Sequence, residues 1–274
     1  MKYTAQSSKY ILKNFWYILP FAVIPALLLS FSTDEQAMET VLQYLYQGNL
    51  QEIAFSDIFR AISVLNFGSW QSILFGLLAI IVIIFCVALM MAFLEKHMRI
   101  GKRTFNGVFS KLNDNFISTC GYGVLLIALY EVWSLITSAL LYLVSMIPTL
   151  LLAYVMIALF YIAMHVVLIY SIGLIYLWLP CMQITGFRPL EALQYSYQLM
   201  TPVKWLIMLG QIIILFAMEI LIFLCVVLTP NGLAFTIVTT VLYALLIMIY
   251  CVRMEIAYFD RDNIERADLR GYYR

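Results

Sequence analysis

Six long apolar stretches alternate with short polar segments along the chain, at residues 15–31, 71–94, 117–144, 149–179, 203–228 and 233–258. Because the hydrocarbon core of a bilayer is about 30 Å thick and a helix rises about 1.5 Å per residue, about 20 apolar residues cross it. The pattern therefore predicts an all-α polytopic membrane protein with six transmembrane helices. The fourth stretch is too long for an upright span, so we expect it to tilt, to kink near Ser171 or Gly173, or to project beyond the membrane.

Shorter helices are predicted outside these stretches. The outer segment, residues 32–70, has apolar residues at helical spacing in two runs that Gly48 and Asn49 separate, which predicts two short helices on the outer surface or over the bundle. On the opposite side, residues 105–116 and the segment that begins at Pro189 each carry an apolar stripe, and residues 3–16 resemble them. We expect these three segments to be short amphipathic interfacial helices on the cytoplasmic side.

Composition places the chain outside the soluble globular class, because 64% of its residues are apolar, 11% are charged and its mean hydropathy is +0.95. No linker rich in Pro, Gly or Ser divides the sequence, so residues 1–274 are predicted to form a single transmembrane domain. The net charge of +1 argues against nucleic acid as a partner, since binding phosphates needs a concentrated cationic face. Five cysteines without a CxxC pair argue against a disulfide framework or a zinc site.

The placement of the cations predicts the orientation. Every Lys and Arg except Arg60 lies at a chain end or in the second or fourth gap between the apolar stretches. Because Lys and Arg concentrate on the cytoplasmic side of membrane proteins, we expect a multi-pass protein of the plasma membrane with both termini in the cytoplasm and the lipid bilayer as a partner. The first stretch lacks a small-x-small cleavage site, so it is interpreted as an uncleaved first span.

The end of the chain alternates charges of both signs from Arg253 through Glu255, Asp260 and Arg261 to Arg270. Such spacing is typical of a solvated helix, so the tail, residues 259–274, is predicted to continue the last span as a charged helix. A tail that docks on a partner is the alternative interpretation.

Three ionisable residues lie deep inside predicted spans at comparable depth: Glu131, His165 and Glu219. Such residues are costly in the membrane and usually face the bundle interior. Ser134 shares the face of Glu131, and Gln211 shares the face of Glu219. We hypothesise that these side chains form one polar site that carries protons, binds a cation or holds a polar headgroup. The alternative is that each is a separate hydrogen-bonded group that specifies helix packing.

Motifs of soluble catalysis are absent from the sequence. There is no GxSxG turn, no glycine-rich phosphate loop and no HExxH pair. Two carboxylates and an imidazole could ligate zinc or iron, but no paired-ligand spacing supports a metal site. We therefore predict no catalytic residue, no metal ligand and no cofactor, and the sequence favours a protein that is not an enzyme.

A family resemblance rests on the run Leu-Trp-Leu-Pro that ends at Pro180, followed by Gly186, Arg188, Ala192 and Ser196, and on the opening segment at residues 8–16. These residues resemble the pattern after the fourth span in small bacterial six-span proteins similar to the membrane domain of glycerophosphodiester phosphodiesterases. The resemblance implies a module of the bacterial inner membrane that organises or assists a partner. Phosphodiesterase activity is not implied, because no segment here could hold the soluble catalytic barrel.

Two functions follow as expectations. The first is a non-enzymatic integral membrane module that acts with a protein or lipid partner in the bacterial envelope. The second is a small secondary transporter or channel that uses the intramembrane Glu/His cluster for a polar or ionic ligand. A cavity lined by Glu131 and Glu219 would favour transport, whereas a bundle packed without a cavity would favour the partner-binding module.

Overall fold

The computed structural model describes residues 2–65, 67–228 and 232–269, and all regular structure in these ranges is helical. Short 3-10 helices lie at Leu50–Glu52 and Ala267–Leu269. The prediction of an all-α protein is confirmed. The α-helices are α1 Lys2–Ser32, α2 Glu35–Gln47, α3 Phe55–Ile62, α4 Trp70–Ile100, α5 Val108–Ser145, α6 Leu150–Ile175, α7 Trp178–Thr185, α8 Pro189–Met200, α9 Lys204–Leu228 and α10 Gly232–Arg261.

Among the described residues, six helical segments are long and apolar enough to cross a membrane: α1, α4, α5, α6 with α7, α9 and α10. The prediction of six spans is therefore confirmed. With six crossings, the first and last described residues lie on the same side of the bundle. Helices α7 and α8 also lie on this side, which we call the terminus side. Helices α2 and α3 lie on the other side, which we call the roof side.

The six spans form a ring in chain order. Each span packs against the next one, and the ring closes through an extensive contact between α10 and α1. Helix α9 is the least embedded member: 11% of its most apolar part is buried inside the protein, against 44% for α10. Helix α9 is therefore the span with the least packing against the rest of the ring.

Helix α1 bends at Asn14, whose φ of −121° and ψ of 19° are not helical. The side-chain amide of Asn14 donates to the carbonyl of Tyr10 at 3.0 Å, and such a local bond competes with the helical backbone bond to the same carbonyl. The bend separates the residues before Asn14 from the rest of α1. This break falls near the end of the segment at residues 3–16 that the sequence predicts to be interfacial.

The prediction of a separate interfacial helix at residues 105–116 is wrong. Helix α5 begins at Val108, after Gly107 in the left-handed region at φ 75°, and continues without a break through Ser145. The Lys111 ammonium lies 2.6 Å from a carboxylate oxygen of Glu95, so the first turns of α5 are held along α4. Within the stripe, Phe116 packs on Phe85 of α4 with ring centroids 4.7 Å apart, whereas Phe109 is 69% exposed, so only part of the stripe faces α4.

The fourth apolar stretch breaks slightly later than predicted, between the end of α6 at Ile175 and the start of α7 at Trp178. Pro180 explains this position, because its ring nitrogen cannot donate to the carbonyl of Tyr176 four residues earlier. Helix α7 ends at Gly186, which has a φ of 70° that favours glycine. The predicted helix start at Pro189 is confirmed, with proline in the first turn of α8.

Of the predicted helical tail, residues 259–274, the described part is α-helical only as far as Arg261, where α10 ends, and Asp260 in it is exposed. The turns of α10 that precede the tail are buried, with Arg253 and Glu255 each 1% exposed. These turns pack against α1 and α4, so they belong to the core despite their charges. The predicted positions 270–274 lie outside the described residues.

Candidate functional site

The two roof helices are tied together by one ion pair. Asp34 caps α2, where its carboxylate accepts a hydrogen bond from the backbone N–H of Ala37 at 3.0 Å. The guanidinium of Arg60 on α3 reaches the same carboxylate, with 2.6 Å between Nη2 and Oδ2. Gly48, at φ 78°, ends α2 as the sequence predicts. The roof is therefore a helical hairpin whose two arms are linked by the Asp34–Arg60 pair.

Glu131 fastens this roof to α5. One oxygen of its carboxylate accepts from the backbone N–H of Val64 at 3.0 Å and of Leu65 at 3.1 Å. The other oxygen accepts from the hydroxyl of Ser63 at 2.8 Å. The neighbouring Tyr130 hydroxyl donates to the carbonyl of Ile62 at 2.9 Å. Glu131 and Tyr130 together hold the end of α3 and the loop that follows it.

A cavity of about 310 Å³ lies beneath the roof and inside the ring. Residues from all six spans line it, together with α2 and α3, and the lining is mostly aliphatic. A volume near 300 Å³ is at the lower end of ordinary ligand pockets. The side chains that bring polar atoms to this wall are Thr33, Arg60, Ser63, Tyr130, Tyr161, Glu219 and Tyr243.

Glu219 on α9 is the carboxylate of the cavity wall. One of its oxygens lies 2.8 Å from Nε2 of His165, and the other accepts from the Tyr161 hydroxyl at 2.8 Å. The His165 side chain is 0% exposed, whereas that of Glu219 is 22% exposed. His165 therefore lies behind the carboxylate, and Glu219 presents the pair to the cavity.

The contacts of His165 determine how many protons the pair holds. Its Nδ1 lies 2.8 Å from the backbone carbonyl of Tyr161, which can only accept, so Nδ1 carries hydrogen. The contact between Nε2 and Glu219 then contains one proton, on the nitrogen as imidazolium with carboxylate or on the oxygen as imidazole with carboxylic acid. Both forms are electrically neutral. The rings of Trp133 and Phe216 pack on His165 with centroids 4.8 Å away, which shields the pair on its inner side.

The structure divides the predicted polar site into parts. His165 and Glu219 meet, as described above, while Glu131 belongs to the hydrogen bonds of the roof loop. Ser134 lies beside Glu131 and donates to its backbone carbonyl at 2.9 Å. Gln211 instead accepts a hydrogen bond from Arg253 near the terminus side. Depth along a helix is readable from sequence, but the direction in which each side chain points across the ring is not.

The residues that carry the family resemblance build the turn between α7 and α8 instead. Pro180 and Gly186 set the two ends of α7, as described above. The backbone N–H of Arg188 donates to the carboxylate of Glu191 at 3.3 Å, which caps α8, and Ser196 is buried on α8. These positions shape a turn on the terminus side.

Several polar groups of the cavity are missing from the site that the sequence predicts. Tyr161 lies one helical turn before His165, and that spacing was its signal. Arg60 was marked only as the single cation of the outer segment. Tyr130 and Tyr243 lie in apolar stretches where a tyrosine is ordinary, so nothing in the sequence separated them from other aromatic residues.

No protein-family model, curated protein or solved structure matches this chain. The resemblance to the phosphodiesterase membrane domain therefore stays a prediction. Among residues 2–65, 67–228 and 232–269, no three His, Cys, Asp or Glu side chains are grouped to hold a metal ion. The chemistry of the site is consequently that of a carboxylate, an imidazole and phenols at an apolar wall.

Proposed function

We propose that this protein is a non-enzymatic membrane module that binds a lipid or another hydrophobic amphiphile in the cavity beneath the roof. The observation that carries the proposal is the composition of the cavity wall, which is mostly aliphatic and contains the carboxylate of Glu219. Such a wall accommodates an apolar tail, and the carboxylate with its tyrosine neighbours offers one place for a polar head.

The energetics favour selection by the head rather than by the tail. A tail that leaves lipid for the cavity gains little from the hydrophobic effect, because lipid chains are as apolar as the aliphatic wall. A hydrogen bond or ion pair with Glu219 is different, because it forms against a mostly aliphatic wall, where the local dielectric constant is lower than in water. Affinity is therefore expected to depend on the head and on the fit to about 310 Å³.

We also propose an orientation. Apart from Arg60 on α3, the cations of the sequence lie before Asn14 in α1, between Lys96 and Lys111 where α4 is followed by α5, between α7 and the first residue of α9, or from Arg253 onward. The positive-inside bias then puts the terminus side in the cytoplasm of a cell bounded by an inner membrane, and the roof outside. The cavity would accordingly lie in the outer half of the membrane, beneath a roof exposed to the outside.

Transport of the amphiphile is a second candidate, which the weak packing of α9 supports. This helix carries Glu219 and has the smallest buried fraction of the six spans, 11% of its most apolar part. A loosely held helix that bears the binding carboxylate is suited to open the ring toward lipid. In that case the module would be a small secondary transporter whose cargo enters from the bilayer.

Native mass spectrometry of the purified protein tests the binding proposal. We expect a co-purifying amphiphile that survives detergent exchange and is lost in Leu215→Trp, because Leu215 lines the cavity and an indole would fill it. The matched control is Leu221→Trp on the same helix, where the leucine is 47% exposed on the outer face. A wild-type protein without a retained amphiphile, or equal retention in both variants, would overturn the proposal.

A further inference from the structure

We infer that the preferred ligand is a cationic amphiphile, and that its binding displaces the proton shared by His165 and Glu219. The inference rests on the proposed function, since it names the ligand class for the same cavity. It starts from the charges that surround Glu219. The titratable and charged groups facing it are His165 and Tyr161 on α6, Tyr130 and Glu131 on α5, Tyr243 on α10, and Arg60 with Asp34 on the roof.

The exposed edge of this set is acidic. His165 is fully buried behind the carboxylate, so a ligand in the cavity meets Glu219 before it meets the imidazole. Arg60 also borders the cavity, but Asp34 accepts from its Nε at 2.9 Å and lies 2.6 Å from its Nη2. Its charge is thereby balanced within the roof. An ammonium head thus finds an acceptor at Glu219, whereas an anionic head would face a carboxylate.

Charge balance requires that a proton leave when the cation arrives. The His165–Glu219 pair is neutral with its one proton, so a cation added to it would leave an uncompensated charge in a low-dielectric space. Loss of the proton from Nε2 of His165, or from the carboxyl in the other form, gives a carboxylate with a neutral imidazole. The carboxylate then pairs with the ligand, and no oxidation or reduction is involved.

Two hydrogen bonds around His165 and Glu219 persist in the product of this exchange. The neutral imidazole keeps its hydrogen on Nδ1, where it donates to the Tyr161 carbonyl, so the ring needs no rotation. The Tyr161 hydroxyl continues to donate to the other oxygen of Glu219 at 2.8 Å, which orients the carboxylate. Nε2 and the Glu219 oxygen 2.8 Å from it no longer share a hydrogen, so this oxygen turns from the imidazole to the ligand cation, and one labile proton is exchanged for one ligand charge.

Calorimetric titration of the protein in a nonionic detergent tests the inference. The probes are decyltrimethylammonium, decanol and decyl sulfate, which share a tail and carry a positive, a neutral and a negative head. Titration in two buffers of different ionisation enthalpy gives the number of protons released. Because the ammonium head has no acidic proton, each proton released comes from the protein.

We expect decyltrimethylammonium to bind at least about tenfold more tightly than decyl sulfate, with about one proton released per ligand and an affinity that rises about tenfold per pH unit while the pair is protonated. In Glu219→Gln the preference for the cation and the proton release should disappear. Glu39→Gln on the exposed face of α2 is the matched control and should behave as wild type.

The outcomes separate the two proposals. Equal binding of the decyl probes without proton release would overturn the inference and leave the amphiphile-binding function standing. Preference for decyl sulfate would overturn it as well. Binding of none of the probes would remove the proposed function itself. The proton count on wild-type protein needs no variant, so a folding defect in Glu219→Gln does not prevent the test.

Discussion

The carboxylates of Glu131 and Glu255, both on predicted spans, differ in how many hydrogen bonds they accept. Glu131 accepts three hydrogen bonds from the roof loop, whereas neither carboxyl oxygen of Glu255 accepts one from any residue that the structure describes. The sequence marks Glu131 as unusual because a carboxylate inside a span is rare. It cannot reveal the donors, which are backbone groups of a loop far away along the chain. For the same reason, the sequence does not reveal that Glu131 bonds the roof loop while His165 pairs with Glu219.

Glu131→Ala should destabilise the roof. The substitution leaves the N–H groups of Val64 and Leu65 without their acceptor, while the Ser63 hydroxyl keeps the Leu65 carbonyl at 2.9 Å. A hydrogen bond to a charged group contributes about 2 kcal/mol. We expect the free energy of unfolding to fall by about 3 kcal/mol, measured by thermal or denaturant unfolding in detergent. Glu39→Ala, at an exposed position on α2, should change it little. A similar loss in both variants would contradict this account of Glu131.

Glu95 and Glu255 should respond in opposite ways to the same substitution. Glu95 lies 2.6 Å from the Lys111 ammonium and 3.3 Å from Nε of Arg99, so Glu95→Gln leaves two cations without their partner. Because both cations are partly exposed, we expect a loss of only about 1 kcal/mol in the free energy of unfolding. Glu255→Gln removes a buried carboxyl that lacks donors, so stability should be unchanged or higher. Parallel melting curves of both variants check the prediction, and a larger loss for Glu255→Gln would contradict it.

At the scale of elements, sequence signals succeeded where the cause is local. Gly48 and Pro189 act through their own backbone conformation, and the helices end or begin where these residues predict. The predictions failed where the packing of neighbouring helices determines what a segment faces. Part of the amphipathic stripe at the start of α5 packs on α4, and α10 carries Arg253 and Glu255 into the core. Periodicity identifies a buried face without identifying what covers it.

The docking of α8 on α10 should give stability a component that is lost at alkaline pH. The Tyr195 hydroxyl donates to a carboxylate oxygen of Asp262, and this hydrogen bond raises the pKa of Tyr195 from 10.0 to about 12. A raised pKa means that the neutral phenol is favoured in the folded state. The stabilisation is therefore complete below pH 10 and disappears as the pH rises through about 12.

Tyr195→Phe tests this pH dependence. We expect the variant to be less stable than wild type by about 1 kcal/mol at pH 8, and the difference to shrink in melting curves recorded up to pH 11. Tyr197→Phe on the same helix is the control, because that side chain is 53% exposed and should show no such trend. A stability difference for Tyr195→Phe that stayed constant with pH would contradict the assignment.

For the whole molecule, the number of spans was predictable and their arrangement was not. Apolar length alone predicts six crossings, and the part of the chain that the structure describes has six helical segments long and apolar enough to make them. Which helix faces meet determines the order of the ring and its closure by α1 and α10. It also determines how little of α9 is buried. These contacts bring His165 on α6 and Glu219 on α9 together, although the two residues lie 54 positions apart in the sequence. The cavity is therefore a property of the ring, and a sequence pattern confined to one helix could not reveal it.

Accessibility of two introduced cysteines tests the threading of the whole chain. Tyr46 on α2 is 94% exposed and Leu190 on α8 is 75% exposed, so both report on their surroundings. If the roof faces outward, a membrane-impermeant maleimide should label Tyr46→Cys in intact cells and Leu190→Cys only after permeabilisation. The wild type, with its five native cysteines, sets the background. Labelling of Leu190→Cys in intact cells with Tyr46→Cys protected would mean reversed orientation, and labelling of both would contradict their placement on opposite sides. Either result would remove the argument that the cavity lies in the outer half of the membrane.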